Sequence, residues 1–288
     1  MHMALPPPTT NSPPQAIIKN VDLYAEITAT STQDVAKYII QMILPGIAPG
    51  SKVHDNGCGA GEVTREIMSI PSTSGRNIAI DATDISSEYI ERLEATAKGN
   101  GWPVTVHAMA AEKLDFADDT FHLSIANFVL FLTADGGVPA LREMHRTLKA
   151  DGTAVFTSWA KLPHSNAIKA AHVATRGPLA PSLRELPKEW EQGSHLVQVA
   201  LDAGFAKEQV DVSQVPVFVL VDDLRRHANV MWSFLGIPTV GWLPSDNGSW
   251  DVAVDVLMGC FQHMDGFKIL ENGQMRIELV ANVLVAHK

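Results

Sequence analysis

The run Val53-His54-Asp55-Asn56-Gly57-Cys58-Gly59-Ala60-Gly61 constrains this chain more than any other stretch. A short strand, Ser51 to Asp55, runs into three glycines at alternate positions, and Glu62 to Ser69 then reads as a helix stopped before Pro71. A strand, a bare-backbone turn and a helix bring peptide N–H groups close to a ligand, because glycine lacks the Cβ that blocks approach. The spacing is Gly-x-Gly-x-Gly with Glu62 next, so the Gly-x-Gly-x-x-Gly fingerprint of dinucleotide dehydrogenases is incomplete. Asp55 precedes the turn, where a carboxylate repels a pyrophosphate but suits a positively charged amino-acid end.

The rhythm around the turn sets the fold class. A helical stripe at Val35, Ile39, Met42 and Ile43 precedes it and is ended by Pro45 and Gly46. Downstream, the spacing predicts strands over 77–83, 104–108, 121–126 and 152–159, alternating with helices over 87–98 and 138–148. Strand and helix periods trading places every dozen residues imply βαβ units and a parallel sheet. After Trp159 the pattern loosens, with Pro163, Pro178, Pro181 and Pro187 suggesting short helices and loops. A helix closed by Gly204, strands over 210–215 and 277–286, and helices over 222–235 and 252–264 complete the reading. The expected architecture is an α/β, Rossmann-like, mostly parallel sheet of about seven strands with helices on both faces. Its last strand is antiparallel, and helical additions at both ends form a substrate cap. Residues 1–20, rich in proline, are expected as a flexible lead-in, 21–160 as a cofactor-binding half, and 161–288 as the completion of the sheet with cap insertions at 161–193 and 222–272.

Composition removes several function classes. The net charge is −10 with no block of Lys or Arg, which disfavours nucleic acid and membrane surfaces as partners. Cys58 and Cys260 cannot build a disulfide framework, no apolar run is long enough to span a bilayer and no signal peptide is expected, so a cytoplasmic location is expected. No His/Cys/Asp cluster has metal-ligand spacing, so no metal is expected. The oligomeric state stays open between monomer and homodimer.

The second predicted strand ends in Asp81-Ala82-Thr83-Asp84-Ile85-Ser86. A carboxylate there can accept both ribose hydroxyls of an adenosine, and Asp84 is preferred over Asp81 because it leads straight into the next helix. With these residues in place, the chain resembles the class I methyltransferases that use S-adenosylmethionine. Their first motif matches Asp55, Gly57, Gly59 and Gly61, and their acidic second-strand end matches Asp84. Their Ala-Glu-x-Leu-x-Phe segment matches Ala111, Glu112, Leu114 and Phe116, and the run Leu141 to Gly152 resembles the helix and turn that follow. Two positions depart from the family pattern. Ala110 stands where an aspartate often bonds the adenine, and His122 stands where the fourth strand carries an aspartate of structural use.

The resemblance implies S-adenosylmethionine as cofactor, held by Tyr24, Asp55, Gly57, Cys58, Gly59, Gly61, Asp84, Ile85, Ala111, Glu112, Asn127 and Phe128. Cys58 enters as a small filler of the turn. Asn127 also interrupts an apolar run, a costly choice without a bonding partner. Asp55-Asn56-Gly57-Cys58-Gly59 and Thr157-Ser158-Trp159 further resemble fungal natural-product methyltransferases of the gliotoxin thiol-methylating kind. The implied activity is methyl transfer to O, N or S of a small apolar or aromatic natural product in secondary metabolism. The alternative is a protein of the same fold that binds the cofactor but catalyses a cyclisation or rearrangement, or serves as a non-catalytic subunit. His164, then His195, are candidate general bases, since an imidazole near its ordinary pKa suits phenol or thiol deprotonation. Trp159 and Trp232 are candidate substrate contacts.

Overall fold

A computed structural model describes residues 12–18, 21–28, 30–43, 47–70 and 77–288. The strands are β1 (Lys52–Asn56), β2 (Ala79–Asp84), β3 (Val104–Ala108), β4 (Phe121–Ala126), β5 (Leu148–Lys161), β6 (Val210–Val221), β7 (Phe267–Ile269) and β8 (Met275–His287). They form one sheet in the order β3-β2-β1-β4-β5-β8-β6. Pairings from β3 through β5 are parallel, and β8 runs antiparallel to both β5 and β6. The short β7 is an eighth strand beyond the seven expected, and it pairs with the first residues of β8. Strand order reverses between β1 and β4, and crevices at such reversals are where open α/β sheets take ligands.

The helices are α1 (Val21–Thr28), α2 (Ser31–Ile43), α3 (Glu62–Ser69), α4 (Ser87–Asn100), α5 (Val138–Thr147), α6 (His164–Arg176), α7 (Gly193–Ala203), α8 (Leu224–Leu235) and α9 (Asp246–His263). Side chains alternate across the strands, so each face of the sheet collects its own core. On one face Val53, Ile125, Val155 and Val283 pack with α2, α3, α6, α8 and α9. On the other, Phe121, Phe156 and Leu284 pack with α5 and α7. The buried stripe of α2 is Val35, Ala36, Ile39 and Ile40, while Met42 turns outward. Gly204 closes α7 in the left-handed conformation, as its position after Ala203 implies.

Two expectations need correction. The stretch after β5 was expected as loops and short helices, yet it contains the 13-residue α6. Pro163 sits just ahead of the first turn, where the first N–H groups are unpaired anyway, so it starts the helix rather than breaking it. Residues 12–18 of the supposed flexible lead-in are docked. The Ile17 N–H donates to Ser233 Oγ at 3.1 Å, Gln15 Nε2 donates to the Asn247 carbonyl at 3.2 Å, and Pro13 is buried.

Candidate cofactor site

The glycine turn follows β1 on the crevice side of the sheet. The Gly57 and Cys58 N–H groups donate to the Thr83 carbonyl of β2 at 2.8 and 2.9 Å, which folds the turn over the neighbouring strand. The three glycines serve different ends. A Cβ on Gly57 would stand 2.5 Å from Val129, and one on Gly61 would stand 2.6 Å from Leu93, so both are small because protein packs against them. A Cβ on Gly59 would meet nothing nearer than Glu62 Oε2 at 3.5 Å. Its bare backbone therefore faces a space that a ligand can enter.

Asp84 closes β2 beside that space. Its Oδ2 accepts the Gly59 N–H and its Oδ1 accepts the Ser86 N–H, each at 2.9 Å, which locks the carboxylate between turn and helix. Ile85 follows with 55% of its surface exposed, an apolar side chain at the edge of the cradle. Asp81, the rival for the ribose role, is instead engaged by Lys52 at 2.9 Å and His107 at 2.8 Å. Glu112 accepts the Ala134 N–H at 2.8 Å, next to a nearly buried Ala111. His122 Nδ1 accepts the Lys52 N–H at 2.9 Å, and Lys149 Nζ lies 2.9 Å from its other ring nitrogen, so the ring braces β1 and β5 against β4.

Asp55 corrects an expectation. It is 1% exposed, and its Oδ2 accepts both the N–H and the hydroxyl of Thr64, at 3.1 and 2.6 Å. It pins the first turn of α3 to the end of β1 rather than reaching toward a ligand's ammonium group. Burial pushes its pKa up to about 7, against the pull of the Thr64 bonds. On the opposite side of β1 lies a chain of polar groups with no exposed member. Thr83 spends its single hydroxyl proton on Asn56 Oδ1 at 3.3 Å. His54 Nε2 must then donate to Thr83 Oγ1, and His54 Nδ1 must accept from Ser124, both at 3.0 Å. Burial holds the His54 pKa down at about 3, so the ring is neutral. Asn56 Nδ2 has no partner, and Cys58 fills space against Ala82 and Leu93.

Past β4, Asn127 is engaged at both ends of its carboxamide. Its Oδ1 accepts the Thr157 hydroxyl at 3.0 Å and its Nδ2 donates to the Thr32 carbonyl at 3.1 Å. The side chain therefore braces the loop. Phe128 adopts φ 60° and stacks on Trp159 with ring centroids 4.1 Å apart. Thr157 and Thr64 build the site without having been singled out for it. Thr157 carries the signal that marked Asn127, a polar side chain inside an apolar run, whereas Thr64, between Glu62 and Arg65, carries none.

The candidate bases and one candidate substrate contact lie elsewhere. A cavity of about 460 Å³ opens past β5 with a mixed lining, Leu162, Pro163 and Met264 beside Lys161, Lys169 and Glu191 among others, and neither candidate histidine, nor Trp159 or Trp232, lines it. His164 is 2% exposed, pointing into the helical layer, with its Nε2 3.3 Å from His227 Nε2 and its ring edge-on to Phe261. Burial, and then the His227 charge, hold its pKa down at about 3, so it does not work as a base near neutrality. His195 packs edge-on to Trp190 across the sheet from α6, so the two candidates do not meet. Trp232 is 1% exposed and covered by the Arg176 guanidinium at 4.7 Å, which makes it core. Tyr24 falls in α1, and its side chain lies outside the described residues.

Residues 53–152 match the family described as a methyltransferase domain. The ubiquinone/menaquinone biosynthesis C-methyltransferase UbiE of Ectopseudomonas mendocina is 32% identical over 118 residues, covering 41% of this chain and 45% of that protein. This chain spans about half the length of the curated relatives it matches first. Among solved structures, the YcgJ protein of Bacillus subtilis superposes with a TM-score of 0.53 at 16% identity, over 88% of this chain and 98% of that one. A Bacillus halodurans protein assigned as a methyltransferase gives 0.56 at 14% identity, over 86% and 96%. These likenesses establish the fold. Residues 53–152 thus carry the likeness to a methyltransferase domain, on a Rossmann-like fold, and that family and fold imply S-adenosylmethionine as the cofactor.

Proposed function

We propose that the whole chain transfers the methyl group of S-adenosylmethionine to a small, apolar or aromatic organic acceptor in the cytoplasm. The observation that carries this reading is the cradle at the strand-order reversal, where the open side of Gly59, the Asp84 carboxylate and the uncovered Ile85 converge. Asp84 would accept the ribose hydroxyls, Ile85, Ala111 and Glu112 would border the adenine, and Gly57 to Gly61 would take the amino-acid end. Tyr24 on α1 would cover the cofactor. The cofactor supplies its own electrophile, so the protein's share is to align the acceptor, exclude water and hold both partners in reach.

The acceptor would sit in the cavity past β5, with α6 and α9, from the insertions 161–193 and 222–272, as its cap, and Trp159, next in sequence to the lining residue Ala160, would be its aromatic contact. Because His164 is sealed and burial makes it a weak base, we favour acceptors that need no protein base, such as an amine, a thiolate or an activated carbon. The UbiE relative is named for carbon methylation, which extends the expected acceptor atoms beyond O, N and S. The net charge of −10 supports a small-molecule acceptor over nucleic acid.

Titration calorimetry with S-adenosylhomocysteine tests the cradle. The wild-type protein should bind saturably, and Asp84→Ala should lose roughly tenfold or more in affinity, the scale of a charge-assisted hydrogen bond pair, while staying folded with a modest loss of stability from its two backbone bonds. Unchanged affinity would remove Asp84 from the ribose role. Transfer of labelled methyl to a panel of amine, thiol and phenol acceptors tests the activity.

A further inference from the structure

Thr157 lies on β5 with no exposed surface, yet its hydroxyl serves the loop after β4. Its Oγ1 accepts the Phe128 N–H at 2.8 Å and donates to Asn127 Oδ1 at 3.0 Å. Asn127 passes the constraint to α2 through the Thr32 carbonyl. Phe128 between them is held at φ 60°, a left-handed conformation that costs a residue with a Cβ about 1–2 kcal/mol. Such a bend persists only where its surroundings over-determine it. The next residue, Val129, places its methyl groups where a Cβ on Gly57 would be. The bend thus presses on the glycine turn from one side and stacks the Phe128 ring on Trp159 from the other.

We infer that Thr157 is a positioning residue for the cofactor turn, its hydroxyl holding Asn127, Phe128 and Val129 in the bend that buttresses Gly57. The inference rests on the proposed use of that turn as the S-adenosylmethionine cradle. Without the hydroxyl, the Phe128 N–H and Asn127 Oδ1 both lose a partner in a buried place, and the left-handed residue has a reason to relax. Val129 would then draw away from Gly57, and the turn would lose its backing.

The test compares Thr157→Val, Thr157→Ser and Thr147→Val by calorimetry with S-adenosylhomocysteine and by thermal melting. Thr147 is the control, an equally buried hydroxyl that bonds only the Glu143 and Met144 carbonyls of its own helix. T157V should bind about tenfold more weakly or worse, T157S within about threefold of wild type, and T147V should melt lower with affinity unchanged, given the usual cost of orphaning buried polar groups. Wild-type affinity in folded T157V, or affinity losses that simply follow the melting losses in both valine variants, would overturn the assignment.

Amide hydrogen exchange at Phe128 decides the matter independently of ligand or of a poorly folding variant. That amide should be protected in the wild type and should exchange at least about tenfold faster in Thr157→Cys, whose thiol bonds weakly. Free exchange in the wild type, or unaltered exchange in T157C, would also overturn it. If the wild type shows no saturable binding at all, the cradle reading fails, while the exchange measurement still judges the clamp.

Discussion

The glycine turn is open on one side and the layer of α6, α8 and α9 is closed, and the two are held by different means. Around the turn, short polar groups of the central strands, the turn and α3 satisfy one another: Asp55 with Thr64, Asp84 with Gly59, His54 with Ser124 and Thr83. In the helical layer the tie is a buried ion pair set among aromatic rings. Arg176 Nε donates to Asp246 Oδ1 at 2.6 Å, with both side chains 1% exposed, and the guanidinium packs over Trp232 and Trp242. Backbone and short polar side chains shape the first region, so its sequence pattern reads directly as a site. Side-chain packing shapes the second, so its conspicuous residues are spent on cohesion.

The sharpest way to break this contrast is Arg176→Ala. Removing one partner of a buried ion pair strands the other, and the loss should be about 3–5 kcal/mol by urea denaturation. If the variant loses less than 1 kcal/mol, the layer is not held by this pair. Next comes Gly57→Ala, which sets a Cβ 2.5 Å from Val129 at φ 69°. An overpacking cost of roughly 1–3 kcal/mol is expected, with loss of affinity for S-adenosylhomocysteine, whereas Gly59→Ala should lose affinity with a smaller change in stability. Equal stability losses in the two variants would remove the distinction between the packed and the open glycine.

A third measurement separates the regions by pH. His164 and His227 have pKa values pushed down to about 3 and about 4, chiefly by burial. The unfolded chain binds protons below about 6.5 that the folded pair refuses, so their contribution is intact above that pH and is lost as pH falls toward 4. Replacing both with leucine should flatten the acid limb of the stability curve between pH 6.5 and 4.5. An unaltered limb would assign it to other groups, His54 first among them, whose pKa of about 3 follows from the same burial. The smallest effect is expected from Arg226→Ala. Its two-pronged pair with Glu26 is half exposed, worth under about 1 kcal/mol, and should fade in salt.

What could be read beforehand follows the same divide. The strands β3 and β4 and the helix α3 have the bounds their spacing implies, and Gly57, Gly59 and Asp84 meet in one place. Local periodicity and turn chemistry carry that information. His164 and Trp232 were misread because a sequence names a polar or aromatic residue without saying which way it points. Their direction follows from how α6, α8 and α9 pack, over separations of about sixty residues between His164 and His227. Asn127 was noticed as a polar group in an apolar run, and Thr157 answers it.

The neutral imidazole of His54 spans three parallel strands, touching Ser124 on β4 and Thr83 on β2 from β1. Every contact in that thread depends on one alignment, because sliding a strand by a single residue turns each of these side chains to the other face of the sheet. The thread therefore works as an alignment gauge: only when all three strands are in step does Thr83 present the carbonyl on which Gly57 and Cys58 hang. A chain with misaligned strands would have no cradle to offer, so competence to bind a nucleoside arrives together with correct assembly of the sheet's centre.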